Sequence, residues 1–336
     1  MTCPDPTMPE AVAAAGDPRR ALVLAHELGA RLPTPGHGET AALWSALAGL
    51  GATDLTVARA VEPHLDALAI LDQAGDPDLT PLQVDGTSTW GVFAAEGPGA
   101  RLEATYGDDE WTLTGTKPWC SLAGLVSHAL VTAWTSPRSR RLFAVRVAGP
   151  EVTVSDQPWQ ARGLTAVTSV PVEMAAAPAV PVGDDGWYLA RPGFAWGGIG
   201  VAAVWYGGAV GLARRLAAPT SRPLDQIGEA HLGAVDAVLT AAGTLLADAA
   251  ARVDDGRADG PAGAALALRV RQVVRRAAEE VLDRCHHALG PGPLVGEAEH
   301  AARVADLQLY LRQEHAERDQ AALGRHLVDH PEDAAW

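Results

Sequence analysis

The chain of 336 residues has a single lysine, Lys117, and only three cysteines, Cys3, Cys120 and Cys285. An odd, sparse cysteine set without a CxxC pair excludes a disulfide framework and a cysteine-rich zinc site. Basic charge is also scarce: 26 Lys and Arg face 41 Asp and Glu, a formal net charge of −15. Because binding to nucleic acid or to anionic lipid depends mainly on Lys and Arg, we expect neither a nucleic-acid partner nor a membrane partner.

The first ten residues lack the basic and apolar regions of a signal peptide, which predicts a cytoplasmic protein. One segment bears on this prediction. Residues 193–213 carry no charge and are long enough to span a bilayer, which takes ~20 residues. The segment is rich in glycine and lies mid-chain between parts typical of soluble proteins. We therefore interpret it as the buried central helix of a bundle, whose small residues allow neighbouring helices to approach closely.

Sequence patterns divide the chain into three parts. Residues 1–85 show apolar residues at helical spacing, which predicts an N-terminal α-helical domain. Residues 86–190 contain short Val-, Thr- and Trp-rich runs between turn residues, typical of an antiparallel β-barrel or sandwich. Residues 191–336 predict a C-terminal four-helix bundle. The expected fold is thus α+β and multidomain, and its four bundle helices are predicted at 195–217, 224–254, 262–289 and 298–327.

Four short stretches, in this order of domains, resemble motifs of the acyl-CoA dehydrogenase family, and the resemblance covers most of the chain. Residues 94–99 (AAEGPG) are similar to the family's T-E-P-G-A-G-S-D turn. Residues 113–121 (LTGTKPWCS) resemble its "nG.K.WITN" segment. Residues 207–213 (GGAVGLA) resemble its first bundle helix. Residues 289–292 (LGPG), followed by a helix ending in YLRQE at 310–314, resemble its "lGG.G…RDa….i.EGT" segment.

The resemblance implies FAD, held between the β domain and the bundle, and α,β-dehydrogenation of acyl-CoA or another acyl thioester. It also implies an electron-transfer partner and a homodimer or homotetramer formed through the bundle. In this family a carboxylate removes the α proton while the flavin takes the β hydride. That chemistry needs an aromatic side chain against one flavin face, a hydroxyl and backbone N–H groups at the flavin edge, and a base against the α carbon.

Carried over by motif, the cofactor positions fall mainly on the second stretch. Trp119 matches the residue beside the flavin ring, and Ser121 matches the hydroxyl that bonds it. We predict that Trp119 lies where the β region packs against the helix starting near Arg191. The full set of residues assigned to the cofactor is Ala94, Ala95, Trp119, Cys120, Ser121, His287 and Gly290. No metal site is expected, because the adjacent residues Cys285, His286 and His287 would point in different directions on a helix.

Glu314 is the candidate catalytic base. It follows at the family spacing after Asp306, which matches the aspartate of "RDa", and it has apolar neighbours. His315 and Ala316 replace the family's Gly-Thr, which predicts that the helix continues past Glu314. The alternative is that Glu314 and Arg318, four residues apart on that helix, form a solvated surface pair.

Departures from the family pattern leave two other interpretations open. Residues 100–102 (ARL) replace the family's G-S-D, and a proline follows Gly290. The family arginine that grips the FAD pyrophosphate has no clear counterpart, because Arg222 is out of register. One alternative is a flavin monooxygenase on the same fold, with His315 or Ser121 near the flavin. The other is a flavin-free scaffold or partner subunit.

Overall fold

The computed structural model describes residues 9–218, 223–334 and 336. Within them, four helices come first, seven strands follow, and the remaining helices complete the chain. The N-terminal helices are α1 (Pro9–Ala13), α2 (Pro18–Gly29), α3 (Thr40–Thr53) and α4 (Leu55–Gln73). The strands are β1 (Trp90–Phe93), β2 (Leu102–Gly107), β3 (Glu110–Ser121), β4 (His128–Trp134), β5 (Arg140–Arg146), β6 (Val152–Val154) and β7 (Ser169–Val182). The later helices are α5 (Trp187–Ala190), α6 (Pro192–Ala217), α7 (Gln226–Asp254), α8 (Gly260–Leu289), α9 (Gly292–Gly296), α10 (Ala298–Tyr310) and α11 (Glu317–Asp329).

Local sequence signals start the N-terminal helices. Asp17 caps α2 by accepting hydrogen bonds from the N–H groups of Arg19 and Arg20, and Pro18 occupies the first helical position. Asp54 caps α4 by accepting from the Val57 N–H at 2.9 Å. Since α3 ends at Thr53, α4 follows it with Asp54 as the single intervening residue.

The sheet closes on itself. Its strands run in the order β1, β4, β2, β3, β7 and β5, and β5 also pairs with β4. Most pairs are antiparallel, as the sequence predicts, but β1 and β2 both pair with β4 in parallel. Strand β3 pairs along β7 with a register shift between Lys117 and Cys120. This bulge lies within the stretch that carries the strongest family resemblance.

Helix α6 runs through the centre of the helical part. A Cβ on Gly207 would lie 2.0 Å from the Ala48 carbonyl oxygen, and one on Gly51 would lie 2.4 Å from the Val204 carbonyl oxygen. Helices α3 and α6 therefore touch backbone to backbone, which only glycine permits. Helices α6 and α7 are both long and apolar enough to cross a membrane, and 67% of the apolar window of α6 is buried within the protein. The interpretation of residues 193–213 as a buried central helix is confirmed.

The last predicted helix is broken. Helix α10 ends at Tyr310, a single 3-10 turn covers Leu311–Gln313, Glu314 is extended, and α11 begins only at Glu317. The expectation that the helix continues past Glu314 is wrong. The reason is tertiary: the side chain of Glu314 turns inward to Arg275, and Arg271 donates to the Gln313 carbonyl oxygen at 3.3 Å.

Helices α4 and α10 both contact the β region. Helix α4 packs on β1, where the Trp90 N–H donates to His64 Nδ1 at 3.2 Å, and burial lowers the pKa of His64 to about 4 so that its ring stays neutral. The loop between β6 and β7 reaches α10, where the Leu164 N–H donates to Asp306. The sequence analysis instead predicts that the β region packs against the helix that starts near Arg191. That side chain pairs with Asp66 at 3.6 Å and so joins α6 to α4.

Candidate functional site

The end of strand β3 presents Trp119 outward. Trp119 has a φ of +60° and is 59% exposed, whereas its neighbour Cys120 is fully buried. A positive φ at a tryptophan is unusual and fits the bulge in β3. Trp119 was predicted where the β region packs against the helix near Arg191, and more than half of its surface is open to solvent. The result is a large aromatic face that is open on the surface of the β region.

Ser121, two residues further on, lies between β3 and α4. Its Oγ is 2.8 Å from Ser169 Oγ and accepts a hydrogen bond from Arg59 Nη2 at 3.2 Å. Ser169 in turn donates to the Val167 carbonyl oxygen at 3.4 Å. A hydroxyl that accepts from a guanidinium has its own proton free to donate, either to Ser169 or to a ligand.

The other residues of the β region that were assigned to the cofactor are Ala94, Ala95 and Cys120, and they differ in exposure. Ala94 follows β1 and its carbonyl oxygen accepts from Thr132 Oγ1 at 3.4 Å, while Ala95 is exposed. The Cys120 thiol is buried in the core and donates to the Lys117 carbonyl oxygen at 3.3 Å. Burial raises the pKa of Cys120 to about 12, so the thiol is neutral and faces away from Trp119.

His287 and Gly290 lie at the end of α8. The His287 ring packs edge-on against His231 at 5.7 Å and lies 3.7 Å from Asp283. Gly290 follows α8 with a φ of +65°, a conformation that glycine adopts easily. Their assignment to the cofactor stays a prediction. Arg222 lies outside the described residues.

The side chain of Glu314 is fully buried and faces α8. Its Oε2 is 2.6 Å from Arg275 Nε and accepts from the Ala316 N–H at 2.9 Å. Its Oε1 has no hydrogen-bond partner within the described residues. Arg275 also contacts Glu279, so one guanidinium serves two carboxylates. The surface pair with Arg318 is therefore wrong, and Glu314 is a carboxylate with one oxygen anchored and one oxygen free.

A buried polar cluster, which the sequence reasoning missed, lies between α4, α6, α8 and α10. The Arg59 guanidinium is 5.7 Å from the Tyr310 ring, and that ring meets Trp205 edge-on at 6.2 Å. Arg271 lies over Trp205 at 4.7 Å. The Tyr310 hydroxyl and the Trp205 N–H have no partner within the described residues. One signal was available in the sequence: the polar residues Arg59, Glu62 and Asp66 recur at helical spacing on an otherwise apolar helix.

Two carboxyls of this cluster are hard to ionise. Burial raises the pKa of Glu62 to about 7, although Arg59 and Arg271 oppose the shift and Asp66 adds to it. Burial also raises the pKa of Asp66, against the opposing effect of Arg191. Glu62 is therefore close to half protonated at neutral pH, which is the range in which a carboxyl can exchange a proton.

A third polar region lies at the turn between β4 and β5. A cavity of about 210 Å³ is lined by three arginines (Arg138, Arg140 and Arg141), by the carboxylate residue Asp185, and by Ala94, Thr132, Ser139 and Tyr188, among others. Lys117 lies beneath it, fully buried, and donates to Glu96 at 2.7 Å and to Thr132 Oγ1 at 2.8 Å. The only lysine thus has a structural role, and arginines supply the accessible positive charge beside Ala94.

Comparisons with known proteins bear on the fold. No protein-family model matches the sequence. No curated protein matches it either. Three solved structures match closely in shape at 18% identity. They are KijD3 in complex with FMN and a dTDP-amino-keto sugar (TM-score 0.80, over 95% of this chain and 90% of that one), TdsC from Paenibacillus sp. A11-2 with FMN and indole (0.74, 93% and 89%), and butyryl-CoA dehydrogenase from Megasphaera elsdenii (0.73, 93% and 98%).

The chain has the acyl-CoA dehydrogenase fold. The sequence resemblance is confirmed at this level, and the low identity makes the chain a divergent example of the fold. The fold also explains the order of elements, a β-rich centre between two sets of helices. Since one fold supports unrelated chemistry, function must be argued from the residues of the site.

Proposed function

We propose that this protein is a flavin-dependent oxidoreductase whose flavin ring lies against Trp119. The exposed indole of Trp119, two residues before a hydroxyl that an arginine orients, carries the proposal. A flat heterocycle can stack on an exposed aromatic ring of this size. Structures of the same fold with FMN bound, those of KijD3 and TdsC, support it.

The residues around Trp119 fit a flavin ring. The single proton of Ser121 Oγ could turn from Ser169 Oγ to a ring nitrogen, and Ala95 is exposed. Gly97 lies beside this indole, since a Cβ there would be at contact distance, 3.6 Å, from Trp119 Nε1. When bound, the flavin supplies the two-electron acceptor that no side chain provides. FAD is the form that the family resemblance implies, and FMN is the form named for KijD3 and TdsC.

For the reaction, we propose α,β-dehydrogenation of an acyl thioester with Glu314 as the proton acceptor. Anchoring of Oε2 by Arg275 and by the Ala316 N–H fixes the carboxylate. The unpartnered Oε1, which is buried in the free protein, is the atom that would accept the substrate proton. A positioned carboxylate contributes about 10²–10⁴-fold to such a step. The aromatic and apolar side chains around it exclude water.

The arginines beside Ala94 supply the charge that a phosphorylated substrate requires. Arg138, Arg140 and Arg141 line one cavity, and a guanidinium binds phosphate oxygens in bidentate fashion. We therefore propose that the phosphate groups of a coenzyme A thioester, or of another nucleotide-linked substrate, lie at this turn. Replacing Arg138 with Ser should raise the Kd of such a ligand without altering the flavin spectrum.

The decisive experiment is a visible absorption spectrum of the purified protein after incubation with FAD or FMN. Oxidised flavin absorbs near ~450 nm, and binding to the protein perturbs that band. Glu314→Gln then tests the reaction: flavin should remain bound while reduction by acyl-CoA slows at least ~100-fold. An unchanged rate of reduction would remove Glu314 from the mechanism.

A flavin monooxygenase is the second candidate, and the ion pair between Glu314 and Arg275 favours it. Arg275 Nε lies 2.6 Å from Glu314 Oε2, so this carboxylate oxygen already has a partner and is not open to a substrate proton. Under this candidate the reduced flavin should consume oxygen, and acyl-CoA should not bleach the oxidised band. If neither FAD nor FMN binds, the chain is a flavin-free partner subunit.

We further propose a homodimer or homotetramer formed through the C-terminal helices. The apolar helix α7 supports this assembly, since only 28% of its apolar window is buried within one chain. Light scattering that gives the mass of a single chain, 34.9 kDa, at micromolar concentration would contradict it.

A further inference from the structure

Arg59 links the hydroxyl of Ser121 to a buried carboxyl. One guanidinium nitrogen donates to Ser121 Oγ at 3.2 Å, and the other lies 3.6 Å from Glu62 Oε2. Both side chains are largely enclosed, with 14% of Arg59 and 10% of Glu62 exposed. The two contacts are made by one planar group, so a change at Glu62 acts directly on the hydrogen bond to Ser121.

The other charged groups that face Glu62 have partners of their own. Arg271, from α8, donates to the Gly198 carbonyl oxygen at 2.8 Å and to the Gln313 carbonyl oxygen at 3.3 Å. Asp66, one turn along α4, pairs with Arg191. Tyr310, from α10, is neutral because burial raises the pKa of its hydroxyl. The charge of Arg59 is therefore the one that Glu62 balances most directly.

A small cavity gives Glu62 room to change its protonation state. It measures about 30 Å³ and is lined by Glu62, Asp66, Trp44, Trp196 and Gly200, among others. A cavity of this size holds about one water molecule, which needs polar partners such as these carboxyls. Burial makes the proton-bound form of Glu62 accessible near neutral pH, where an ordinary glutamate is fully ionised.

We propose that Arg59 and Glu62 form a proton-linked pair that sets the charge next to Ser121. With Glu62 ionised the pair is neutral; with Glu62 protonated the pair carries the full positive charge of Arg59. In a low-dielectric site this charge strengthens the hydrogen bond from Arg59 to Ser121 and orients the serine proton towards a ligand. Arg59 and Glu62 are positioning residues here, and only their effect on flavin rests on the proposed function.

The first test needs no flavin. The folding equilibrium constants of wild type, Glu62→Gln, Arg59→Met and the double variant are measured by urea denaturation at about pH 6 and about pH 8. The stability of Glu62→Gln relative to wild type should rise about tenfold in equilibrium constant over this range, because ionising buried Glu62 costs the wild type stability. Coupling between positions 59 and 62 should be larger at the higher pH, where the pair is ionic.

Controls keep this test decisive. Arg59→Lys retains the charge and replaces Arg59→Met if the latter does not fold. Glu280→Gln removes a carboxylate that pairs with Arg284 on the surface of the same bundle, and its effect should be the same at both pH values. The proposal is overturned if the folding equilibrium constant of Glu62→Gln relative to wild type is also the same at both pH values. It is likewise overturned if the effects of Glu62→Gln and Arg59→Met on stability are additive at both pH values.

The second test measures the Kd of FAD by fluorescence at the same two pH values. Wild type should bind at least ~3-fold more tightly at the lower pH, and Glu62→Gln should bind equally at both. FAD binding by wild type that does not change with pH overturns the effect on Ser121. No binding at either pH defeats the proposed function instead, and the stability measurements still decide the pair.

Discussion

Glu62 and Glu314 are two buried carboxyls that each face an arginine, and they are held very differently. Arg275 lies 2.6 Å from Glu314, which also accepts a backbone N–H bond, whereas Arg59 lies 3.6 Å from Glu62 and shares its guanidinium with Ser121. The closer pair, together with the backbone N–H of Ala316, fixes the Glu314 carboxyl in one position. The looser pair leaves a carboxyl that burial keeps partly protonated. Burial alone therefore does not decide how a carboxyl is held. Each arginine also contacts a second group, Glu279 for Arg275 and Ser121 for Arg59, so the distance within the pair is the main difference.

The largest effect should come from breaking the closer pair. Arg275→Met leaves Glu314 buried without a counter-charge, which should lower the free energy of unfolding by about 3–5 kcal/mol. Urea denaturation of wild type and Arg275→Met measures this loss. The double variant with Glu314→Gln removes both charges and should recover most of the loss. A loss below about 1 kcal/mol would show that Glu314 is hydrated rather than held by Arg275.

The looser pair should reveal itself through pH. The folded-state pKa of Glu62 lies above its ordinary value, so the folded state binds the proton more tightly than the unfolded state does. Its stabilising contribution is complete below about pH 4.5 and is lost as the pH rises to about 7, at most about 3 kcal/mol in total. Glu62→Gln should therefore gain stability relative to wild type across this window. Denaturation curves at several pH values measure the free energy of unfolding of Glu62→Gln relative to wild type. If this difference falls as the pH rises, the pKa of Glu62 is not raised in the folded state.

Trp119→Ala separates ligand binding from stability. Because Trp119 is 59% exposed, the free energy of unfolding should change by no more than about 0.5 kcal/mol. Flavin affinity should fall about tenfold, the value expected for an aromatic contact of about 1.5 kcal/mol. Flavin titration measures the affinity, and urea denaturation measures the free energy of unfolding. Unchanged affinity would place the flavin elsewhere.

The smallest effect should come from an exposed pair on the same helix as Arg275. Arg284 and Glu280 lie 2.9 Å apart and are both more than a third exposed. Arg284→Gln should cost about 0.5 kcal/mol or less, because solvent screens the pair. If Arg284→Gln lowered the free energy of unfolding as much as Arg275→Met, burial could not explain why the two ion pairs differ in strength.

The order of helices and strands was predictable because it depends on local signals. Apolar spacing, caps such as Asp54 and turn residues marked most elements, and the small residues of 193–213 indicated close helix packing. The stretch 113–121 indicated the fold. The break after Tyr310 was not predictable, because residues 311–316 contain no strong helix breaker and the break depends on Arg271 and Arg275 from another helix.

At the candidate site, the sequence determined which residue types are available and which motifs they resemble: Trp119, Ser121 and Glu314 were assigned by their resemblance to the family's motifs. Only the tertiary structure decided their surroundings. It turned Trp119 outward through a bulge, paired Glu314 with Arg275 instead of Arg318, and brought Arg59 and Glu62 against Ser121 from a helix about 60 residues away. Helix and strand propensities depend on near neighbours in the chain, whereas the charge and solvation of a side chain depend on whatever packs around it from any distance along the chain.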